Sequence, residues 1–387
     1  MHRSVLFVAA LLMASVAAPL GAATADHGGA VAAETAAQST QECGFPFAET
    51  DATGTEVTVE EEPERVVTLG PAATQTMYEI GAEDKIVGAT SLSSYFPGFE
   101  DWQDVGVTEN RRTRPSVEKV IAAQPDVVIA ENIVTDDTVS QLREAGITVY
   151  KFDSATNLEF VYDKVHTTGA LVGAHQGAAE AVADMRYEVR IAQEAAANGG
   201  ESPQALYVFF GFTSGSNTFI DSIVTTAGGT NVATEAGIEG YKELSDEVVA
   251  NATVEWLLLN SDSPNPPDRE AYQQTIAVQN DQRVVLNANN ISQPAPRIVD
   301  PIRTLSQTWY PDAHEAARES VERPDVRPPC APPATTMAPS TTESGSPGTT
   351  ENPATTTAGD DGGSPGFTVG VATAALLAAL VTLRRRR

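Results

Sequence analysis

Basic side chains and histidine are scarce in this chain, which has 24 Lys and Arg against 52 Asp and Glu. The net charge of −28 argues against a nucleic-acid partner, because phosphate contacts need basic side chains. With only five histidines, a free-metal receptor built from several imidazoles is not expected. Such a surface stays hydrated and soluble in molar salt, where charges are screened within about 3 Å. The composition therefore indicates a protein from a halophile.

Motifs for catalysis are also lacking. Residues 211–215 read Gly-Phe-Thr-Ser-Gly, which is not the nucleophile-elbow pattern, and no histidine lies at a predicted strand end to activate Ser214. We therefore predict a protein that is not an enzyme and has no resident cofactor and no metal site.

Residues 1–25 have the pattern of a secretory signal peptide: a short basic start, an apolar stretch and small residues at the cleavage spacing. An N-terminal membrane anchor is the alternative, although the apolar stretch is shorter than the ~20 residues of a spanning helix. Residues 26–42 are then a flexible N-terminal segment of an exported chain.

The other end of the chain predicts attachment to a membrane. Residues 331–363 are rich in Thr, Pro, Ser and Gly and cannot bury a core, so we expect an extended stalk. Residues 364–387 follow with a marginal apolar run and four terminal arginines, which would stay on the cytoplasmic side. Pro365-Gly366-Phe367 before this run resembles the PGF-CTERM signal of archaeal surface proteins, which archaeosortases process. A simple membrane anchor is the alternative, and both place the protein on the extracellular face of the cell membrane, anchored at its C-terminus.

The chain has two cysteines, Cys43 and Cys330, which lie just outside the ends of the region expected to fold. In an exported protein such a pair predicts a disulfide. Closing a loop of this size contributes ~5 kcal/mol in the chain-entropy model. Two free thiols are the alternative.

Between the cysteines, short apolar runs rich in β-branched residues alternate with helical patterns. The predicted strands are residues 65–69, 86–89, 126–130, 148–152, 205–209, 256–260 and 283–287. This alternation predicts an α/β protein with two lobes of mainly parallel sheets, residues 43–156 and 199–330. Residues 157–198 form the helical connection, in which apolar spacing from about 177 to 197 predicts a long rigid α-helix. A ligand cleft is expected between the lobes.

The two predicted lobes share a short pattern. Ser116 and Ser245 each stand two residues before a glutamate, Glu118 or Glu247, and an acidic residue follows ten positions after each serine. A serine can cap a helix whose first turn favours a negative charge. The two lobes are therefore expected to present one equivalent glutamate each, or these are ordinary first-turn acids.

Several segments, in order and spacing, resemble the solute-binding proteins of ABC importers for cobalamin and iron-siderophores. They are residues 51–59, 63–69, 80–88, 125–128, 142–147, 227–231 and 294–297, spread over essentially the whole folded region. The resemblance implies a receptor that captures a metal chelate and delivers it to an ABC permease with its ATPase subunits. It further implies that Glu118 and Glu247 dock onto permease arginines.

The resemblance also implies which residues line the cleft. Tyr95, Arg111 and Arg112 fall on the rim of the first lobe, and Phe212, Tyr241, Asn289 and Asn290 on that of the second. Cobalamin receptors bring tryptophans to some of these positions, where this chain has Arg and Tyr. The arginines suit an anionic siderophore or the phosphate and amide rim of a corrinoid, or else they pair with nearby acids such as Glu109.

Two features leave alternatives open. Asn251 and Asn290 are in glycosylation sequons, and a glycan on Asn290 would obstruct the expected cleft. A structural or adhesive cell-surface module would use the same signal, stalk and anchor, so it remains the rival function.

Overall fold

The computed structural model of the chain describes residues 43–109, 112–328 and 330. The predicted signal peptide, the segment 26–42, the stalk and the sorting signal lie outside the described residues, and so does Arg111. No helix among the described residues has both the length and the apolar character needed to cross a bilayer.

The N-terminal lobe contains a five-stranded parallel sheet of order β5-β4-β3-β8-β9. Its elements are β1 (Phe47–Thr50), β2 (Glu56–Val59), β3 (Val66–Leu69), α1 (Pro71–Glu79), β4 (Ile86–Ala89), β5 (Gln103–Asp104), β6 (Gly106–Glu109), β7 (Arg112–Pro115), α2 (Val117–Ala122), β8 (Val127–Ala130), α3 (Asp136–Glu144) and β9 (Val149–Lys151). The central strands β3 and β8 are buried along their whole length, as expected for a parallel sheet covered on both faces. The pairs β1-β2 and β6-β7 form separate antiparallel hairpins.

The C-terminal lobe follows two helices, α4 (Leu158–Val172) and α5 (His175–Gly199). Its elements are β10 (Gln204–Val208), β11 (Phe212–Ser214), α6 (Phe219–Thr226), β12 (Thr230–Asn231), α7 (Val232–Glu235), β13 (Tyr241–Glu243), α8 (Asp246–Asn251), β14 (Trp256–Asn260), α9 (Glu270–Gln273), α10 (Ile276–Gln279), β15 (Arg283–Leu286), α11 (Ala288–Ile291), α12 (Val299–Trp309) and α13 (Pro311–Ser320). Four strands form a parallel sheet of order β12-β10-β14-β15. The prediction of two α/β lobes with parallel sheets is confirmed.

Helix α5 spans 25 residues, about 37 Å at the usual rise per residue, and packs against elements of both lobes. Gly177 permits the close approach to α1, since a Cβ at this position would lie 2.0 Å from the carbonyl oxygen of Ile80. One continuous hydrophobic core includes Met77 of the first lobe, Val182 of α5 and Leu305 of the second. A shared core of this kind resists independent movement of the lobes.

The repeated pattern in the two lobes has a structural counterpart. Ser116 Oγ accepts from the backbone N–H of Lys119, and Ser245 Oγ accepts from that of Val248, so each serine caps its helix as predicted. The acidic residues ten positions after these serines, Asp126 and Glu255, also make equivalent contacts, because each carboxylate accepts from backbone N–H groups. Asp126 Oδ2 accepts the N–H groups of Glu64 and Arg65 at 2.9 Å, and Glu255 Oε2 accepts that of Gln204 at 2.9 Å.

The last described residues run back along α5, and we call residues 321–328 the C-terminal strap. Arg323 pairs with Asp184 and lies 5.0 Å above the ring of Tyr187, both on α5. Cys330 then reaches the start of α5 and forms a disulfide with Cys43, with the Cα atoms 5.1 Å apart. The predicted disulfide is confirmed.

Candidate ligand-binding cleft

The loops at the carboxyl ends of the parallel strands carry large apolar side chains that remain exposed. In the N-terminal lobe these are Leu92, Tyr95, Val107 and Ile133, and in the C-terminal lobe Phe210, Phe212 and Tyr241. Ile133 and Phe210 are 64% and 68% exposed. Exposed apolar groups at strand ends are typical of a ligand site, because a bound apolar surface would remove them from water.

An aromatic chain on the N-terminal lobe leads from Tyr95 into the protein. The Tyr95 and Phe96 ring centroids are 4.4 Å apart, and Phe96 stacks on Tyr78 at 5.0 Å. Trp102 contacts the far side of Tyr78 edge-on at 6.1 Å. Ring–ring contacts of this kind fix the orientation of Tyr95 at the rim.

The hydroxyl of Tyr95 stays protonated under ordinary conditions. Burial raises the pKa of Tyr95 to about 12, while the charge of Arg297 and a hydrogen bond with Gln75 act in the opposite direction. Tyr95 therefore offers a neutral phenol to a ligand, which can donate or accept a hydrogen bond.

The aromatic residues of the C-terminal lobe surround a tight hairpin. Phe209 and Phe212 exchange two backbone hydrogen bonds of 3.0 and 2.8 Å, which leaves Phe210 and Gly211 as a two-residue turn. Both have positive φ, 48° and 86°, as a type I′ turn requires. Glycine adopts this conformation freely, but a phenylalanine is strained there. A strained residue whose ring is held out into solvent is a candidate for ligand contact.

The next strand completes this aromatic surface. Tyr241 opposes Ser214 in the β11-β13 pair, and its ring lies 6.4 Å from that of Phe209. Desolvation of its hydroxyl raises the pKa of Tyr241, so this phenol is also neutral. Phe209 continues the stack to the buried Tyr207, whose hydroxyl accepts from Asn260 at 3.1 Å.

Unpaired positive charge is confined to this region in the part of the chain that the structure describes. The side chains of Arg112, Arg114 and Lys242 form no hydrogen bond or ion pair with another described residue, whereas the side chain of each of the other described lysines and arginines has a partner. Arg112 lies opposite Glu109 in the β6-β7 register without forming an ion pair. The expected alternative, pairing with Glu109, is therefore not observed for Arg112.

The Asn289-Asn290 pair lies in α11, directly after β15, with both side chains partly buried. Asn290 Nδ2 donates to Asp300 Oδ2 at 2.9 Å, so this amide nitrogen already has a partner. The sequon residue Asn251 is exposed at the end of α8. Glycosylation of Asn290 would break the contact with Asp300, whereas Asn251 is open to modification.

Glu118 and Glu247 occupy the first turns of α2 and α8, on the same kind of capped helix in each lobe. The Ser116 hydroxyl donates to Glu118 Oε2 at 2.9 Å. The residue's own backbone N–H and then this hydroxyl lower the pKa of Glu118, which keeps the exposed carboxylate charged in mildly acidic solution. Grooves of about 420 and 610 Å³ adjoin Glu118 and Glu247 respectively, and both offer surface next to the carboxylates.

Sequence reasoning missed five residues of this surface: Leu92, Val107, Ile133, Phe210 and Lys242. The run Phe209-Phe210-Gly211-Phe212 was an available signal, since an aromatic cluster broken by glycine is typical of a turn that exposes a side chain. Ser214, considered from the sequence as a nucleophile, is buried, and its hydroxyl shares a hydrogen bond of 2.7 Å with that of Thr218.

Two lobes with parallel sheets, joined by a long helix and bearing apolar strand-end loops, define a bilobal solute-binding protein. The sequence profile of the family described as "Periplasmic binding protein" matches residues 66–289. The chain belongs to this family.

Relatives and solved structures agree with this assignment. The chain is 35% identical over 286 residues to a cobalamin-binding protein of Halobacterium salinarum, covering 71% of this chain and 77% of that protein. It is 25% identical over 251 residues to a vitamin B12-binding protein of Vibrio cholerae, covering 62% of this chain and 87% of that protein. The periplasmic heme-binding protein RhuT from Roseiflexus sp. RS-1 matches with a TM-score of 0.58 and 24% identity, covering 65% and 99%. The heme-binding protein HmuT matches with a TM-score of 0.59 and 21% sequence identity, covering 69% of this chain and 90% of that chain. These two structures support the fold alone.

Proposed function

We propose that this protein is the solute-binding component of an ABC importer and captures a corrinoid of the cobalamin type for delivery to a membrane permease. The observation that carries this proposal is the pair of exposed apolar edges, Leu92, Tyr95 and Ile133 on one lobe and Phe210, Phe212 and Tyr241 on the other. A large ring-shaped ligand between them would cover both edges at once. The names of the relatives in Halobacterium salinarum and Vibrio cholerae support the same ligand class.

The polar groups at the rim complement this apolar surface. Arg112 and Arg114 lack carboxylate partners among the described residues, so their guanidinium groups are available to a phosphate or to amide oxygens of the ligand. The neutral hydroxyl of Tyr95 adds a hydrogen-bonding group. A complete chelate such as cobalamin, with its axial ligands, already fills the coordination shell of its metal, so the protein is not required to supply a metal ligand.

An anionic ferric siderophore is the second candidate ligand. The three unpaired cations of the described residues, Arg112, Arg114 and Lys242, favour it, because a siderophore bearing carboxylates offers several negative charges. In a protein with a net charge of −28, a local positive rim would be needed to attract such a ligand.

Delivery requires a second binding event at the membrane. We assign docking to Glu118 and Glu247, which are presented equivalently by the two lobes and face cationic groups of the permease in this proposal. Charges at a rim mainly set orientation and association rate, so the groove beside Glu247 would supply apolar contact in high salt. Anchoring by the C-terminal sorting signal, after archaeosortase processing, would keep the receptor near its permease.

The test is a titration of the purified protein in high salt, with Trp and Tyr fluorescence as the readout, corrected for ligand absorbance. The panel contains cobalamin, cobinamide, ferric siderophores and heme. Saturable submicromolar binding of cobalamin or cobinamide supports the corrinoid receptor, and selective binding of a siderophore supports the second candidate. Absence of binding across the panel would favour the structural or adhesive module.

A further inference from the structure

Three metal-ligating side chains meet where the two ends of the folded part are joined. One ligand atom each from Cys43, His175 and Cys330 lie within 4.8 Å of one another. His175 is the first residue of α5, and its Nδ1 faces Cys330 Sγ at 3.6 Å. In the oxidised protein the two sulfurs are bonded to each other, so neither is a thiolate that can bind a cation.

We propose that the reduced chain, before the bond between Cys43 and Cys330 forms, binds one soft divalent cation of the Zn²⁺ class through Cys43, His175 and Cys330. Binding displaces one proton from each thiol. When a disulfide-bearing oxidant later accepts two electrons, the two sulfurs join and the cation is released. The trio is therefore a redox-controlled metal site, and its existence does not depend on the ligand of the cleft.

The observed spacing matches the coordination geometry of zinc. With Zn–S near 2.3 Å and Zn–N near 2.0 Å, a tetrahedral site has an S···N edge of roughly 3.5 Å. His175 Nδ1 and Cys330 Sγ already have this separation, at 3.6 Å. In the same tetrahedral site the two sulfurs would be ~3.8 Å apart. The Cα atoms of Cys43 and Cys330 are 5.1 Å apart, so rotation of the two side chains alone can bring the sulfurs to this separation.

The surroundings let a cation enter. Cys43 is exposed, and His175 and Cys330 are partly buried, so the trio is accessible from solvent. His175 Nδ1, at 3.6 Å from Cys330 Sγ, is the ring nitrogen that would bind the cation, and Nε2 is buried without a hydrogen-bond partner among the described residues. Glu62, which forms an ion pair with Lys85 at 2.5 Å, lies beside Gly173, two residues before His175. Water fills the fourth coordination position.

The test compares the oxidised and reduced forms of the purified chain, with Co²⁺ as the spectroscopic probe and Zn²⁺ as competitor. A phosphine reduces the disulfide and is removed before titration. We expect the reduced protein to bind one equivalent of Co²⁺, with a thiolate-to-cobalt charge-transfer band that Zn²⁺ abolishes, and the oxidised protein to show no such band. His175→Ala should weaken Co²⁺ binding by at least about tenfold.

His166→Ala is the matched control, because it removes a partly buried imidazole of α4 that is not part of the trio. It should leave Co²⁺ affinity unchanged. Circular dichroism of each form establishes that it is folded. The proposal is overturned by a reduced protein that unfolds, by the absence of the charge-transfer band, or by equal Co²⁺ affinities of His175→Ala and the parent chain.

Discussion

Arg297 of the C-terminal lobe donates from Nε to Glu79 Oε1 of the N-terminal lobe over 2.7 Å. The backbone N–H of Arg297 also donates to Gln75 Oε1 at 2.9 Å, and its guanidinium lies 5.4 Å from the ring centroid of Phe96. The lobes are thus joined by side chains as well as by α5. This arrangement favours a receptor that changes shape little on binding, so small-angle scattering should give nearly the same radius of gyration with and without ligand.

Arg297→Ala should loosen this connection. The ion pair is about one-third exposed, so we expect a loss of about 1–2 kcal/mol from the pair and the ring contact together, measured by denaturant unfolding at constant salt. Arg283→Ala is the control, because Arg283 pairs only with Asp281 two residues away and should cost less than about 0.5 kcal/mol. Equal losses for the two variants would contradict a special role of Arg297.

The buried pair of Lys164 and Glu131 predicts a larger effect. Their side chains are 1% and 4% exposed, with Nζ and Oε2 2.5 Å apart. Lys164→Met leaves the carboxylate of Glu131 buried without its partner, and we expect a loss of about 3–5 kcal/mol in the free energy of unfolding. The double variant Glu131→Gln, Lys164→Met should recover part of that loss. If the double variant is less stable than Lys164→Met, the penalty does not come from the unpaired charge.

Trp102 should report ligand binding. It is connected to Tyr95 at the rim through the stacked rings of Tyr78 and Phe96. We expect Trp102→Phe to remove most of the ligand-induced change in tryptophan fluorescence while leaving affinity within about twofold, because Trp102 itself lies behind the rim. Trp309→Phe, at the end of α12, is the control and should retain the signal. An undiminished fluorescence change in Trp102→Phe would indicate that the ligand binds away from Tyr95.

The protonation of Tyr95 gives a prediction about pH. Because burial raises its pKa to about 12, the phenol stays neutral well above the usual tyrosine value near 10. Ligand affinity should therefore be flat between about pH 7 and about pH 9, and Tyr95→Phe should weaken it by about fivefold through the lost hydrogen bond. Affinity that rises steadily with pH would instead indicate that a phenolate binds the metal of the ligand.

Replacing the two docking glutamates should separate uptake from binding. Glu118→Ala with Glu247→Ala should lower uptake of the labelled ligand in whole cells by at least about tenfold without changing its affinity for the purified protein. Glu83→Ala with Glu270→Ala removes the same charge from other exposed sites and should transport normally. Loss of ligand affinity in the double variant Glu118→Ala, Glu247→Ala would indicate that these glutamates contact the ligand in the cleft.

The sheets were predictable because their strands are short apolar runs, and the sequence shows such runs directly. Of the seven predicted strands, β4 and β14 match to the residue and the other five to within one residue at either end, whereas the two-residue edge strands β5 and β12 were not predicted. The antiparallel pairs β6-β7 and β11-β13 were not predicted, since segments such as Arg112-Thr113-Arg114-Pro115 have no apolar alternation. The cleft was only partly predictable, because a sequence does not show which apolar residue, Ile133 or its buried neighbour Val134, is left exposed.

The disulfide between Cys43 and Cys330 closes a covalent loop that contains both lobes, at a sequence separation of 287. A mechanical load applied between the segments before Cys43 and after Cys330 would therefore pass through one covalent bond and not through the sheets or the cleft. If the proposed C-terminal anchor holds the protein, a pull on that anchor would leave the two lobes unstretched. Reduction of that bond would transfer the same load to the C-terminal strap and its contacts with α5.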